Sequence, residues 1–142
     1  MSTQSTFRGF ANPVNPTPAE LRGWAYHPDA VTLSEMPPDW DLLVTEDRLI
    51  GTLYGLAVDP GCPARRFALH CLHIYAADAI RTEFRAHPKR RLRKLVEQAE
   101  TTRDEQLLTW AHNTRVLMAN PDIFQYHDWC EGGLVRSPRR LA

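Results

Sequence analysis

Lysine is nearly absent from this 142-residue chain, two residues against fifteen arginines. The imbalance is read as the mark of a G+C-rich bacterial genome, so arginine abundance alone assigns no residue a role. No apolar run approaches the roughly 18 residues of a membrane span. Met1–Thr17 is polar and rich in Asn and Pro, with no apolar signal core, so the expectation is a protein that is not exported. Cys62, Cys71 and Cys130 are odd in number and form no CxxC pair. That argues against a disulfide framework or a zinc knuckle and fits a reducing cytoplasm. There is no HExxH motif, no strand-like alternation of useful length, and no net charge.

What is present suffices for one domain. An apolar fraction of 43% and a charged fraction of 24% are ordinary for a globular chain whose single core needs no staples. The charge is segregated along the sequence. Between Pro28 and Pro60 seven acids (Asp29, Glu35, Asp39, Asp41, Glu46, Asp47, Asp59) face one base, Arg48; between Arg81 and Lys94 seven bases (Arg81, Arg85, Lys89, Arg90, Arg91, Arg93, Lys94) face one acid, Glu83. Such a bipolar chain favours a polar protein partner, or self-association, over generic attraction to a polyanion.

Residues 1–16, with Asn12-Pro13 and Asn15-Pro16, read as a flexible or loosely docked arm. Thr17-Pro18-Ala19-Glu20 is a helix start: Thr17 as N-cap, Pro18 at N1, and Glu20 at N3 closing a capping box. Leu21, Trp24 and Ala25 form the buried face of this helix, which should end before Pro28. Asp39 is expected to cap a short segment containing Trp40, Leu42 and Leu43. Thr45 is expected to cap a second helix with an acidic first turn and a stripe of Leu49, Ile50, Leu53, Leu56 and Ala57. Gly51 and Gly55, four apart, suggest the close approach of a neighbouring helix. A third helix, about residues 64–84, is apolar almost all round and so should be central. A fourth turns Leu92, Leu95, Val96 and Ala99 inward. A fifth, from about Asp104 to Ala119, buries Leu107, Trp110, Ala111, Leu117 and Met118 before Asn120-Pro121 stops it. The aromatic stretch 123–130 is expected to fold back as a short helix. The boundaries are then an arm over 1–16, one α-helical domain over 17–131 and a flexible tail over 132–142. The fold class is all-α, with five to six helices in stacked antiparallel hairpins.

Val58-Asp59-Pro60-Gly61-Cys62-Pro63-Ala64-Arg65 with Ala68, Leu69 and Leu72 resembles the intra-repeat turn of HEAT and armadillo-like helical hairpins. Asp59-Pro60 closes one helix and Pro63-Ala64-Arg65 opens the next. A degenerate second copy, with Thr101–Asp104 as its turn, lies about 41 residues on, a repeat period known in this class. The resemblance covers at most residues 45–119. It implies two hairpins with a capping helix at each end, HEAT-like or in an orthogonal bundle, and a surface for binding macromolecules rather than for catalysis.

Candidate sites follow from this frame. Arg66, His70, His73 and Ala77 share the only polar stripe of the third helix. The two histidines could ligate zinc, but Asp78 lies roughly 100° or more around the helix, and the ordinary reading is two hydrogen-bonded histidines at a helix contact. Partner binding is assigned to Arg66, His70, His73, Trp40, Asp41 and Asp47. Arg85, Lys89, Arg90, Arg91, Arg93 and Lys94 could contact phosphates, although a near-neutral pI and only Phe84 for stacking point to a solvated helix face. Cys130 beside His127 and Asp128 lacks an oxyanion loop. No catalytic residue, metal or cofactor is assigned. The function expected is a cytoplasmic, non-enzymatic protein-interaction module such as an immunity protein, antitoxin or adaptor. The alternatives are nucleic-acid binding through Arg81–Lys94 and a metal-dependent hydrolase built on His70 and His73.

Overall fold

Thr17 starts the first helix by the chemistry its sequence carries. Its hydroxyl accepts the Glu20 N–H at 3.1 Å, and the Glu20 carboxylate accepts the Thr17 N–H at 2.9 Å, so two orphan donors of the helix end are satisfied reciprocally. The computed structural model describes residues 9–29, 31–125 and 140–141. These hold six α-helices and no β-strand: α1 (Pro18–Tyr26), α2 (Trp40–Val44), α3 (Asp47–Val58), α4 (Arg65–Arg81), α5 (Lys89–Glu100) and α6 (Glu105–Ala119), with 3₁₀ turns at Leu33–Glu35 and Pro121–Ile123. No helix among them is long and apolar enough to cross a membrane. The expected aromatic helix over 123–130 and the expected tail lie mostly outside the described residues. The contacts divide the chain into two compact units, Met1–Cys71 and Leu72–Ala142, with α4 running through the boundary.

In the first unit, α1 packs on α3. Leu21, Trp24 and Ala25 of α1 and Leu49, Ile50, Leu53, Leu56 and Ala57 of α3 are all buried, the stripe that 3.6-residue periodicity dictates. The far carboxylate oxygen of Glu20 accepts the Ala11 N–H at 2.9 Å. Together with its bond from Thr17, this holds the Glu20 carboxyl below the usual carboxylate range. The arm is thereby pinned from Gly9 onward. Phe10 is 1% exposed, and Arg48 of α3 donates to the Asn15 side chain at 2.7 Å.

The turn between α3 and α4 is closed by its own side chains. Asp59 accepts the Gly61 N–H at 2.9 Å and the Tyr26 hydroxyl at 2.5 Å. Arg65 reaches back to the Ala57 carbonyl at 2.7 Å, satisfying an orphan acceptor at the end of α3. Three local expectations are corrected here. Thr45 does not cap α3; its hydroxyl donates to the Asp41 carbonyl at 2.7 Å and closes α2 instead, while Glu46 takes the N-cap position of α3. Asp39 takes the N-cap position of α2, but its side chain makes no capping bond; the buried residues of that helix are Trp40 and Val44. No element presses on Gly51 or Gly55, since a Cβ at either would meet nothing within 4 Å.

In the second unit the end of α4 is buried at Leu72, Ile74, Tyr75, Ala76, Ala77, Ala79 and Ile80. It stops at residue 81, and Glu83 and Phe84 then take left-handed φ values of 54° and 65°. This turn lets the Phe84 N–H reach the Ala79 carbonyl at 2.6 Å. The α5 and α6 helices pack together, α5 through Leu92, Leu95, Val96 and Ala99 as its periodicity requires. Asp104 caps α6 by accepting the N–H groups of Gln106 and Leu107 at 2.9 and 3.0 Å. Met118 is only half-buried, whereas Thr109, Asn113 and Thr114 are buried beside Leu107 and Trp110. A pattern that counts only apolar positions does not register them.

Candidate functional site

A groove of about 480 Å³ opens in the first unit, lined by Leu33, Ser34 and Met36, the Pro37-Pro38-Asp39-Trp40-Asp41 segment, and Phe67 and His70 of α4. Its shape begins with the two prolines. They fix φ at residues 37 and 38 and keep Met36 extended, and the chain then turns at Pro38-Asp39 into α2. Asp39 absorbs that entry with φ of 57° and ψ of 36°, a left-handed conformation that short polar residues tolerate and bulky ones do not. Its carboxylate makes no capping bond and is exposed at the groove mouth. Backbone strain of this kind concentrates at sites that bind something.

The wall behind Asp39 is aromatic. Trp40 is 3% exposed, and its ring stacks on Phe67 with centroids 5.3 Å apart and an interplanar angle of 21°. It meets Trp24 and Phe10 edge-on at 4.9 and 5.8 Å, the favoured T-shaped arrangement. Its indole N–H donates to the Pro13 carbonyl at 2.7 Å. The Trp40-Asp41 pair is therefore not an indole bonded to the neighbouring carboxylate; each side chain has a partner far away in sequence.

Asp41 pairs with His70. The Asp41 carboxylate accepts the His70 Nε2–H at 2.9 Å across 29 residues of sequence, with both side chains partly exposed. This bond, opposed in part by burial, holds the Asp41 carboxyl below the usual carboxylate range. Asp41 is therefore ionised at neutral pH, and because a carboxylate only accepts, the proton sits on His70 Nε2. Just beneath, the Cys71 thiol points to the Asp41 carbonyl at 3.9 Å. Burial pushes it up to about 12, so it is an inert thiol. Ser34, the one hydroxyl side chain on the wall, shares a hydrogen bond with Thr32 at 3.0 Å. The pair thus has an acid and an imidazole but no nucleophile bonded to either. What the groove offers a ligand is a fixed negative charge, a second exposed carboxylate, an aromatic wall and two rigid prolines.

Of the six residues assigned to partner binding, the structure brings Trp40, Asp41 and His70 together. Arg66 is exposed on α4 but does not line the groove. Asp47 is the first residue of α3, also away from it. His73 is 5% exposed, so the polar stripe read along α4 runs from surface to interior and is not exposed along its whole length. Among the described residues no group of three His, Cys, Asp or Glu converges as metal ligands do. The bases of α5 are outward: Lys89, Arg90, Arg91, Arg93 and Lys94 are all exposed. Lys89 also lies over the Phe84 ring, 5.4 Å from its centroid. Cys130, His127 and Asp128 are outside the described residues. Sequence reasoning missed Phe67, Met36 and the proline pair as groove wall. Pro37-Pro38 directly before an Asp and a Trp was the available signal.

No family model matches the chain, and neither a curated protein nor a solved structure matches it.

Proposed function

We propose that this chain is a non-enzymatic protein-interaction module that uses the Pro37–Asp41/Phe67/His70 groove to hold a basic segment of a partner protein. The observation that carries the reading is the placement of two carboxylates, Asp39 and Asp41, against a Trp40–Phe67 wall in one concavity. A long basic side chain lays its aliphatic stem on apolar surface and its charge against carboxylates. The stretch 28–60, which supplies most of the groove wall, is acidic by seven residues to one, a charge that would steer such a partner in. The Val58–Leu72 turn and the 40-residue offset between the starts of α4 and α6 support reading the chain as a degenerate pair of HEAT-like hairpins. Small domains of that kind serve as immunity proteins, antitoxins or adaptors in the bacterial cytoplasm.

Selection of a random displayed-peptide library on the immobilised full chain tests this. Enrichment of peptides with Arg or Lys flanked by apolar residues is expected, and it should vanish with Asp39→Lys and weaken between roughly 50 and 300 mM salt, because the Debye length falls from above to below about 10 Å over that range. An enriched set indifferent to Asp39→Lys, or none at all, would end the reading.

Nucleic-acid binding through α5 stays as the second reading on one observation. Its bases crowd the first two turns, at the positive end of the helix, and no acid offsets them there. That arrangement works against helix stability and would suit phosphates. A gel shift in a salt series, with Arg90, Arg91 and Arg93 changed to Ala, separates the two. Absence of any shift at low salt removes this alternative.

A further inference from the structure

On the other unit, α6 holds Leu141 by its backbone. The fully buried Asn113 side chain accepts the Leu141 N–H at 2.8 Å. His112 Nε2 lies 2.9 Å from the Leu141 carbonyl, and since that oxygen can only accept, the His112 Nε2–H donates. Glu105 accepts from the Arg140 guanidinium at 2.9 Å. One residue therefore has both its N–H and its C=O engaged by side chains, the pattern an extended peptide shows when it adds to a sheet edge. The preceding residue is read by charge.

The spacing makes this selective. Glu105 and His112 are seven residues apart on α6, about 10.5 Å along the axis at the usual helical rise. A single step of extended chain covers about 3.4 Å. The side chain before the engaged residue must bridge the rest, which a long basic side chain does and a short one does not. Proline is excluded from the engaged position because it has no N–H. His112 and Asn113 both belong to α6, so the helix backbone fixes the spacing of the two groups that take the Leu141 carbonyl and N–H.

We propose that the Glu105/His112/Asn113 face of α6 is a recognition site for an Arg followed by any residue but proline, occupied in cis by Arg140–Leu141 and open in trans to a partner chain that presents such a dipeptide. The internal segment is then the competitor that such a partner displaces. This site lies in a different unit from the groove and does not depend on that reading.

The test uses the full chain and a fluorescein-labelled peptide of residues 137–142, followed by fluorescence anisotropy. Leu141→Pro removes the donated N–H and vacates the site without touching α6. This variant is expected to bind the peptide at least tenfold more tightly than the unsubstituted chain, and a peptide with Pro in place of the Leu should not bind. Glu105 is largely exposed, so Glu105→Arg on the Leu141→Pro background keeps the fold; it should lose the peptide and gain one carrying Glu in place of the Arg at 140. Equal affinity of the Leu141→Pro and unsubstituted chains would overturn the proposal. So would failure of the Leu141→Pro chain to bind at millimolar peptide, or binding that ignores the Glu105→Arg swap.

Discussion

Trp40 links three things that the sequence places far apart: the arm at residues 10–13, helix α1, and the wall of the groove. Replacing it with Phe removes the indole N–H that Pro13 accepts while keeping an aromatic ring against Phe10, Trp24 and Phe67. The lost hydrogen bond is worth about 1 kcal/mol, and the missing pyrrole portion of a buried ring adds a similar packing loss, so about 1–2 kcal/mol is expected in all. Trp40→Ala empties the site and forfeits three ring contacts; large-to-small aromatic truncations cost about 3–5 kcal/mol. Urea unfolding of the two variants reads these losses directly through the midpoint at unchanged slope. The same pair of variants reports on the arm. If the bond to Pro13 holds residues 9–16 in place, Trp40→Phe should increase amide exchange at Ala11 and Asn15 well beyond the global loss of stability, because the opening becomes local. Equal destabilisation by Phe and Ala, or exchange at Ala11 that rises only as much as in the α3 core, would refute the idea that the indole N–H is what ties the arm to the groove.

Three further outcomes follow from the same geometry. Asp39→Gly should stabilise the fold by about 0.5–1 kcal/mol by relieving the left-handed φ, while weakening capture of basic peptides at least severalfold; a loss of stability would show that Asp39 is not strained. Cys71 has its folded value raised from 9 to about 12, so its contribution is fully present below pH 9 and is lost as pH rises through the window to 12. At pH 10 the chain should accordingly have lost on the order of 1 kcal/mol relative to Cys71→Ala, whose own curve subtracts the tyrosines, and parallel curves in urea titrations at pH 7 to 10 would contradict this. Thr114 is fully buried with its hydroxyl unbonded, so Thr114→Val should be neutral or stabilising by about 1 kcal/mol; thermal unfolding at a clearly lower midpoint would show a partner for that hydroxyl.

What was legible beforehand was local. The Thr17–Glu20 capping box, the stripes of α3 and α5, the Asp104 and Asn120 boundaries of α6 and the Asp59 turn each depend on residues within about four positions of one another, where spacing along the chain is spacing in space. The errors are of the same scale. Thr45 had two possible acceptor and donor roles within one turn, and the choice went to the Asp41 carbonyl because α2 ended there. Gly51 and Gly55 looked like a contact seam, but small residues permit an approach without causing one.

By itself the sequence determined that the chain is helical, roughly where each helix starts and stops, and which of its faces is apolar. It also determined that acid gathers in one stretch and base in another. Only tertiary structure decided that Asp41 meets His70 across 29 residues, that Trp40 turns its N–H to Pro13 rather than to its neighbour, that His73 goes inward while Arg66 goes outward, and that α6 grips Leu141. The reason is physical. Helix stripes follow from a backbone period that every residue shares, whereas a groove is the residue left over when separate elements pack. Its membership depends on loop geometry, on two prolines and on one strained φ, none of which carries a period to read.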